Sequence, residues 1–284
     1  MKRVIVCDSG LGGLNIAARF FSGNSDSEKC ELIYFNAYPA KDCGFNKLAS
    51  EREQEEVFRD VFEGMKKFSP DLCLIACNTL SIVYERLKKW YVPPFEVAGI
   101  VDAAVDGMFD VLLKNPESSM LILGTKSTVE SGMYLHKLIE KGIESERVRG
   151  LACPGLATLL ESDPSSDEVQ KKIAAYAVQA AELFEKAPQK LYCALCCTHF
   201  GFASEIWERD FAKVFENFAG LVNPNELLGT GFAAADFSYH SKIDFFTGAR
   251  ESMSAYFADK APKIADVLQN AVYNDELFNF YKGK

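Results

Sequence analysis

The sequence predicts an α/β protein of two pseudo-symmetric domains, each a mainly parallel sheet flanked by helices. Three observations predict it. Short apolar runs alternate with helix-length amphipathic stretches along the 284-residue chain, as in parallel sheets covered on both faces. The alternation begins afresh near Ser119. In each half, an apolar run ends abruptly in a thiol and small polar residues: Leu72-Cys73-Leu74-Ile75-Ala76-Cys77-Asn78-Thr79, and Leu191-Tyr192-Cys193-Ala194-Leu195-Cys196-Cys197-Thr198-His199. Ligands of open parallel sheets bind at the C-terminal strand edge, so two strand-end thiols suggest one site built from two sides.

The elements follow in order. Arg3 to Cys7 reads as a buried strand running into Asp8-Ser9-Gly10-Leu11-Gly12-Gly13-Leu14, a tight turn that opens a helix to Phe21. Glycines there permit close backbone approach, and the helix start favours an anion. The spacing is neither Gly-x-Gly-x-x-Gly nor a Gly-Lys-Ser/Thr phosphate loop. By themselves, Asp8 and Ser9 read equally well as cap and turn residues. Glu31 to Phe35 is the second strand, and a long turn from Asn36 to Asn46 follows. Leu48 to Phe68 is a charged amphipathic helix with a solvated face, stopped by Ser69-Pro70. After the Cys77 strand come a helix over Ser81 to Trp90 and a strand over Val97 to Val101.

The second half repeats the plan. Ser119 to Leu123 is a strand ending in Gly124-Thr125-Lys126-Ser127-Thr128, followed by a helix from Val129 to Lys141. Arg147 to Ala152 is a strand stopped at Cys153-Pro154, Asp167 to Lys186 a helix, and Leu191 to Leu195 the strand leading to the second thiol. Helices are expected over Glu205 to Phe218 and Glu226 to Phe237. Leu221-Val222 is a short strand, Phe245-Phe246-Thr247-Gly248 a last one, and the chain from Ser252 is helical. A hydroxyl turn and a thiol turn in each half read as an old duplication.

Composition narrows the function. A net charge of −9 argues against a nucleic-acid groove. No apolar stretch approaches the ~20 residues that span a bilayer, and the N-terminal strand is too short for a signal peptide. Nine cysteines without an export signal read as reduced thiols in the cytoplasm. Cys193-x-x-Cys196 has no second pair at zinc spacing, so no metal is expected. Cys73, Cys193 and Cys153 read as packing residues.

Taken together, Asp8-Ser9-Gly10-x-Gly12-Gly13-Leu14, Ala76-Cys77-Asn78-Thr79-x-Ser81, Gly124-Thr125-x-x-Thr128, Ala152-Cys153-Pro154 and Cys197-Thr198-His199 occur in the order seen in glutamate racemases. Phe246-Thr247-Gly248 also resembles the C-terminal strand of that family, which belongs to the cofactor-independent aspartate/glutamate racemase superfamily. The resemblance runs from residue 4 to about residue 257. It implies two α/β domains with the active site in the cleft between them. The first is discontinuous, 1–97 plus 210–284, and the second is 98–209. It also implies Cys77 and Cys197 as the acid/base pair, no cofactor, and D-glutamate for peptidoglycan as the product. The chain departs from the family at Asn36-Ala37, where Gly-Asp is usual, and at Asp42-Cys43-Gly44, where a substrate-contacting Pro-Tyr-Gly is usual. Cys196 replaces a glycine and Gly201 a proline.

The chemistry suits these residues. Racemisation removes the α-proton from one face and returns one to the other, with one group starting as base and the other as acid. Thiols can be tuned toward neutrality, and a following helix N-terminus favours thiolate. Asp8 is placed to orient one thiol and His199 the other. Ser9, Asn78, Thr79, Thr125, Thr128 and Thr198 are the hydroxyl and amide groups available to hold the substrate carboxylate; each also reads as a cap of the helix that follows, and a cap can face a ligand as well. Cys43 and Gly44 join them through the altered loop. Asp42 would repel a dicarboxylate unless Lys41, Lys47 or Lys126 compensates. No lysine stands at a recognisable Schiff-base position. The expected partner is a small-molecule amino-acid substrate, with no nucleic acid and no membrane; a homodimer is one admitted assembly. The alternatives are a racemase of aspartate or another small acid, a non-catalytic ligand-binding homologue, and a thiol hydrolase with a single essential cysteine.

Overall fold

The computed structural model describes all residues except 24, 41–42, 185–187, 244–246, 272 and 280–284. The chain divides into two compact units, Met1–Ile100 with Leu228–Lys284, and Val101–Leu227. Each is built on one parallel sheet.

In the first unit the chain runs β1 (Lys2–Asp8), α1 (Leu14–Arg19), β2 (Glu28–Asn36), α2 (Glu51–Met65), β3 (Leu72–Ile75), α3 (Asn78–Leu87) and β4 (Glu96–Gly99). The second unit follows with α4 (Ile100–Lys114), β5 (Ser118–Gly124), α5 (Lys126–Glu130), α6 (Met133–Glu140), β6 (Val148–Ala152), α7 (Leu156–Ser162), α8 (Asp167–Ala181), β7 (Lys190–Cys196), α9 (Ser204–Val214) and β8 (Phe218–Val222). The chain then returns to the first unit through β9 (Phe232–Ser241), α10 (Thr247–Phe257) and α11 (Pro262–Gln269).

The first sheet has the order β4-β3-β1-β2-β9 and the second β6-β5-β7-β8. Read in reverse, the second is β8-β7-β5-β6, the order of the first without β9. The repeat seen in the sequence is therefore a repeat of topology. Winding direction reverses between β1 and β3 in the first sheet and between β5 and β7 in the second. Those switch points are where strand ends splay and leave room for a ligand.

The central strands are apolar because both faces are covered: Val4, Ile5, Val6 and Cys7 are fully buried. α2 lays Val57, Phe58, Val61, Phe62 and Met65 into the core of the first unit. Its start is a reciprocal cap, with Ser50 accepting from the Glu53 amide and Glu53 from the Ala49 amide.

Several expectations are corrected. The second half of the helix expected over 226–237 is strand β9. Gly229 and Gly231 take positive φ of 75° and 91°, which stops a helix, and Phe237, Tyr239 and Ser241 then alternate into the core. Residues 210–227 group with the second unit, not the first, because β8 pairs with β7, Ala194 facing Val222. The helix expected over 129–141 breaks into α5 and α6 at Gly132, which has φ 62°. Helices α4 and α7 were not anticipated. Phe245 and Phe246 of the expected last strand lie outside the described residues; Thr247 and Gly248 open α10 instead. Among the described residues beyond α11 none is helical: Tyr273 bridges Ser241, and Leu277 and Phe278 plug the first core.

Candidate active site

At the first switch point β1 ends in Asp8 and β3 leads through Ala76 to Cys77. The two ends are tied by an Ala76 amide donating to the Cys7 carbonyl at 2.8 Å. Gly13 lies between them: a Cβ there would stand 2.8 Å from the Asp8 Cβ and 3.1 Å from the Ala76 Cβ. Ser9 Oγ lies 3.1 Å from Cys77 Sγ. Asp8 and Asn78 are buried, as is Thr79, and Cys77 retains 8% exposure. Cys77 is the N-cap residue of the ten-residue α3, with Asn78 and Thr79 in its first turn. Backbone dipoles at that end favour negative charge on the cap.

The loop after β2 borders this cluster, since Asp8 pairs with Asn36. Asn36 is fully buried, donating from Nδ2 to Tyr239 Oη at 3.1 Å and accepting at Oδ1 from the Tyr38 amide at 3.0 Å. Tyr34 stacks on Tyr239 and donates to the Gly10 carbonyl at 2.8 Å. Asn36 thus holds the start of the loop, and Tyr34 holds the Asp8-Ser9-Gly10 turn. Cys43 is half-buried at an isolated bridge with Ala40, and Gly44 lies beneath the Tyr38 ring. Lys41 and Asp42 lie outside the described residues. Lys126, offered as a compensating cation, pairs with Glu130 at 3.7 Å.

At the second switch point β5 ends at Gly124 and β7 at Cys196. Thr125 caps α5, its Oγ1 accepting from the Thr128 amide at 3.3 Å and meeting Thr128 Oγ1 at 2.9 Å. Here the capping role is realised. Cys197 is followed by a 3-10 turn, Thr198–Ala203, with α9 starting only at Ser204. No α-helix starts directly behind this thiol, and the His199 imidazole stands beside it instead. His199 Nδ1 is 3.7 Å from Cys197 Sγ, and His199 Nε2 is 2.6 Å from Glu161 Oε1. Burial alone lowers the His199 pKa. The Glu161 charge and the hydrogen bonds to Cys197 and Glu161 outweigh it and hold the imidazole well above its ordinary value.

Glu161 sits on α7, after β6, and sequence reasoning missed it. A lone acidic residue 38 positions from its partner carries no pattern. The structure therefore brings Ser9 together with Cys77, and His199 with Cys197. Cys7, Cys73, Cys153, Cys193 and Cys196 are buried, and burial raises each thiol above the ordinary cysteine range. They pack as small hydrophobes. Among the described residues no group of three or more His, Cys, Asp or Glu side chains is arranged to hold a metal ion.

Two parallel sheets, each with a thiol at its switch point, define a two-domain α/β chain of the fold that solved glutamate racemases adopt. One such structure, from Bacillus anthracis, aligns with a TM-score of 0.70 at 17% identity, covering 90% of this chain and 94% of that one. In sequence, the chain is similar to curated glutamate racemases. It is 28% identical over 196 residues to the glutamate racemase of Lysinibacillus sphaericus, covering 69% of this chain and 68% of that relative. It is 28% identical over 175 residues to that of Aquifex pyrophilus, covering 60% and 62%. The matches thus span about two thirds of those relatives' lengths. No protein-family model matches the chain.

Proposed function

We propose that this protein interconverts L- and D-glutamate without a cofactor, using Cys77 and Cys197 as the acid/base pair, and supplies D-glutamate for cell-wall peptidoglycan in the cytoplasm. The observation that carries the reading is the repeated one. At each switch point a strand-end thiol contacts a polar partner, Ser9 at 3.1 Å for Cys77 and His199 at 3.7 Å for Cys197. In the forward step one thiolate takes the α-proton and becomes a thiol. The other thiol delivers its proton to the opposite face and becomes a thiolate, so one negative charge passes from sulfur to sulfur. An imidazolium held by Glu161 balances charge on Cys197; the α3 N-terminus and the Ser9 hydroxyl serve Cys77. Asp8 orients its thiol. Asn78, Thr79, Thr125, Thr128 and Thr198 hold the substrate carboxylates, which lowers the cost of the carbanion. Cys43 and Gly44 complete the substrate shell.

The same chemistry on aspartate or another small acid is a second reading. It is favoured by the β2 loop, where Asn36 is committed to Tyr239 and Tyr38 and the Tyr38 ring covers Gly44. Incubation in D2O with a panel of D- and L-amino acids tests both. Deuterium entering the α-position of glutamate with inversion supports the first. Faster entry into another acid moves the assignment there, and entry into none refutes racemisation. Cys77→Ser and Cys197→Ser should each slow inversion about 10²–10⁴-fold. Loss on changing only one of them indicates the thiol hydrolase.

A further inference from the structure

The segment from Cys197 to His199 is held from outside its own strand. Because β8 runs parallel to β7, the turn after β8 lies beside the turn after β7. That turn is rigid. Asn223 Oδ1 accepts from the Asn225 amide at 3.2 Å, Asn223 Nδ2 donates to Glu226 Oε1 at 3.2 Å, and Pro224 fixes the backbone at the start of the 3-10 turn. From it Asn225 Nδ2 donates to the Thr198 carbonyl at 2.9 Å. Asn225 and Thr198 are 1% and 2% exposed, so water does not substitute readily for this donor.

Thr198 is the residue between the thiol of Cys197 and the imidazole of His199. A rotation of the Thr198–His199 peptide swings the imidazole relative to the sulfur. Among the described residues, His199 faces the Cys197 thiol and the Glu161 carboxylate from α7, with the Phe202 ring at 6.2 Å. We propose that Asn225 is a positioning residue: by donating to Thr198 O it sets the Thr198–His199 peptide, and with it the sulfur–imidazole contact. Its consequence for turnover rests on the racemase reading; its consequence for His199 does not.

Asn225→Leu keeps the approximate volume and removes the donor, and Asn225→Ala removes both. The full-length variants are compared with wild type by circular dichroism, by kcat and KM for racemisation, and by proton NMR titration of His199. The chain has three histidines, so His136→Gln and His240→Gln assign the resonances. The expected result is a retained fold, kcat lower by about tenfold to a hundredfold, KM within about threefold, and a His199 midpoint displaced toward ordinary histidine. An unmoved midpoint overturns the proposal. So does unchanged kcat with an active wild type. Failure of both variants to fold also overturns it, by assigning Asn225 to stability alone. If wild type racemises nothing, the racemase reading has failed and the His199 midpoint decides by itself: a displaced one supports the clamp and an unmoved one overturns it.

Discussion

Glu161 separates His199 from His240, a half-buried imidazole. His240 packs on Phe68 at 4.4 Å, and burial lowers its pKa. His199 is more buried, yet its pKa is raised, because a carboxylate 2.6 Å away favours the charged form. The sign of the pH effect follows. A histidine raised by folding contributes stability that is fully present below its unfolded pKa of about 6.5. That contribution is lost as pH rises through the folded value. Urea unfolding of wild type should therefore show stability declining with pH above about 6.5. Glu161→Gln should flatten that slope and cost about 3 kcal/mol at pH 6, the lower end for breaking a buried pair. A slope unchanged by the substitution would contradict the ion pair.

At the scale of elements, the strand–turn–helix unit of β1 and α1 depends on one missing side chain. Gly13 has an ordinary helical φ of −64°, so the requirement is for space rather than for backbone freedom. A methyl there would press on the Asp8 and Ala76 Cβ atoms and, at 3.0 Å, on the Tyr34 hydroxyl. Gly13→Ala should destabilise by about 1–3 kcal/mol, the usual cost of overpacking, and raise KM by displacing Ser9 from Cys77. Gly248→Ala, which points into open space on α10, should be neutral or stabilising by about 0.5–1 kcal/mol. Equal effects at the two positions, measured by urea unfolding, would show that crowding at the turn is not the cause.

For the whole molecule, the first unit is completed by residues far along the chain. β9 adds the fifth strand beside β2. Leu277 and Phe278 then enter a core otherwise made by residues before position 90. The tail passes so close to α2 that a Cβ on Gly64 would stand 2.5 Å from the Leu277 carbonyl oxygen. Phe278→Ala should cost about 3–5 kcal/mol, as for other buried phenylalanines. Limited proteolysis should then cut the last turn of the chain sooner than in wild type. A loss below about 1 kcal/mol would mean that the core closes without the tail.

By itself, the sequence determined the class of fold, the repeat, and both strand-end thiols with their flanking hydroxyls. These are local signals: an apolar run, a breaking glycine and a reactive group within a few residues of one another. Only the tertiary structure decided the rest. It placed β9 where a helix was expected, because pairing with β2 and two left-handed glycines outweigh a short helical pattern. It moved residues 210–227 into the second unit through one strand pairing. It supplied Glu161 to His199, Asn225 to Thr198 and Tyr239 to Asn36, partners 38, 27 and 203 residues apart. Such pairs leave no periodicity in a single sequence, since parallel pairing aligns strand ends in space without aligning them along the chain.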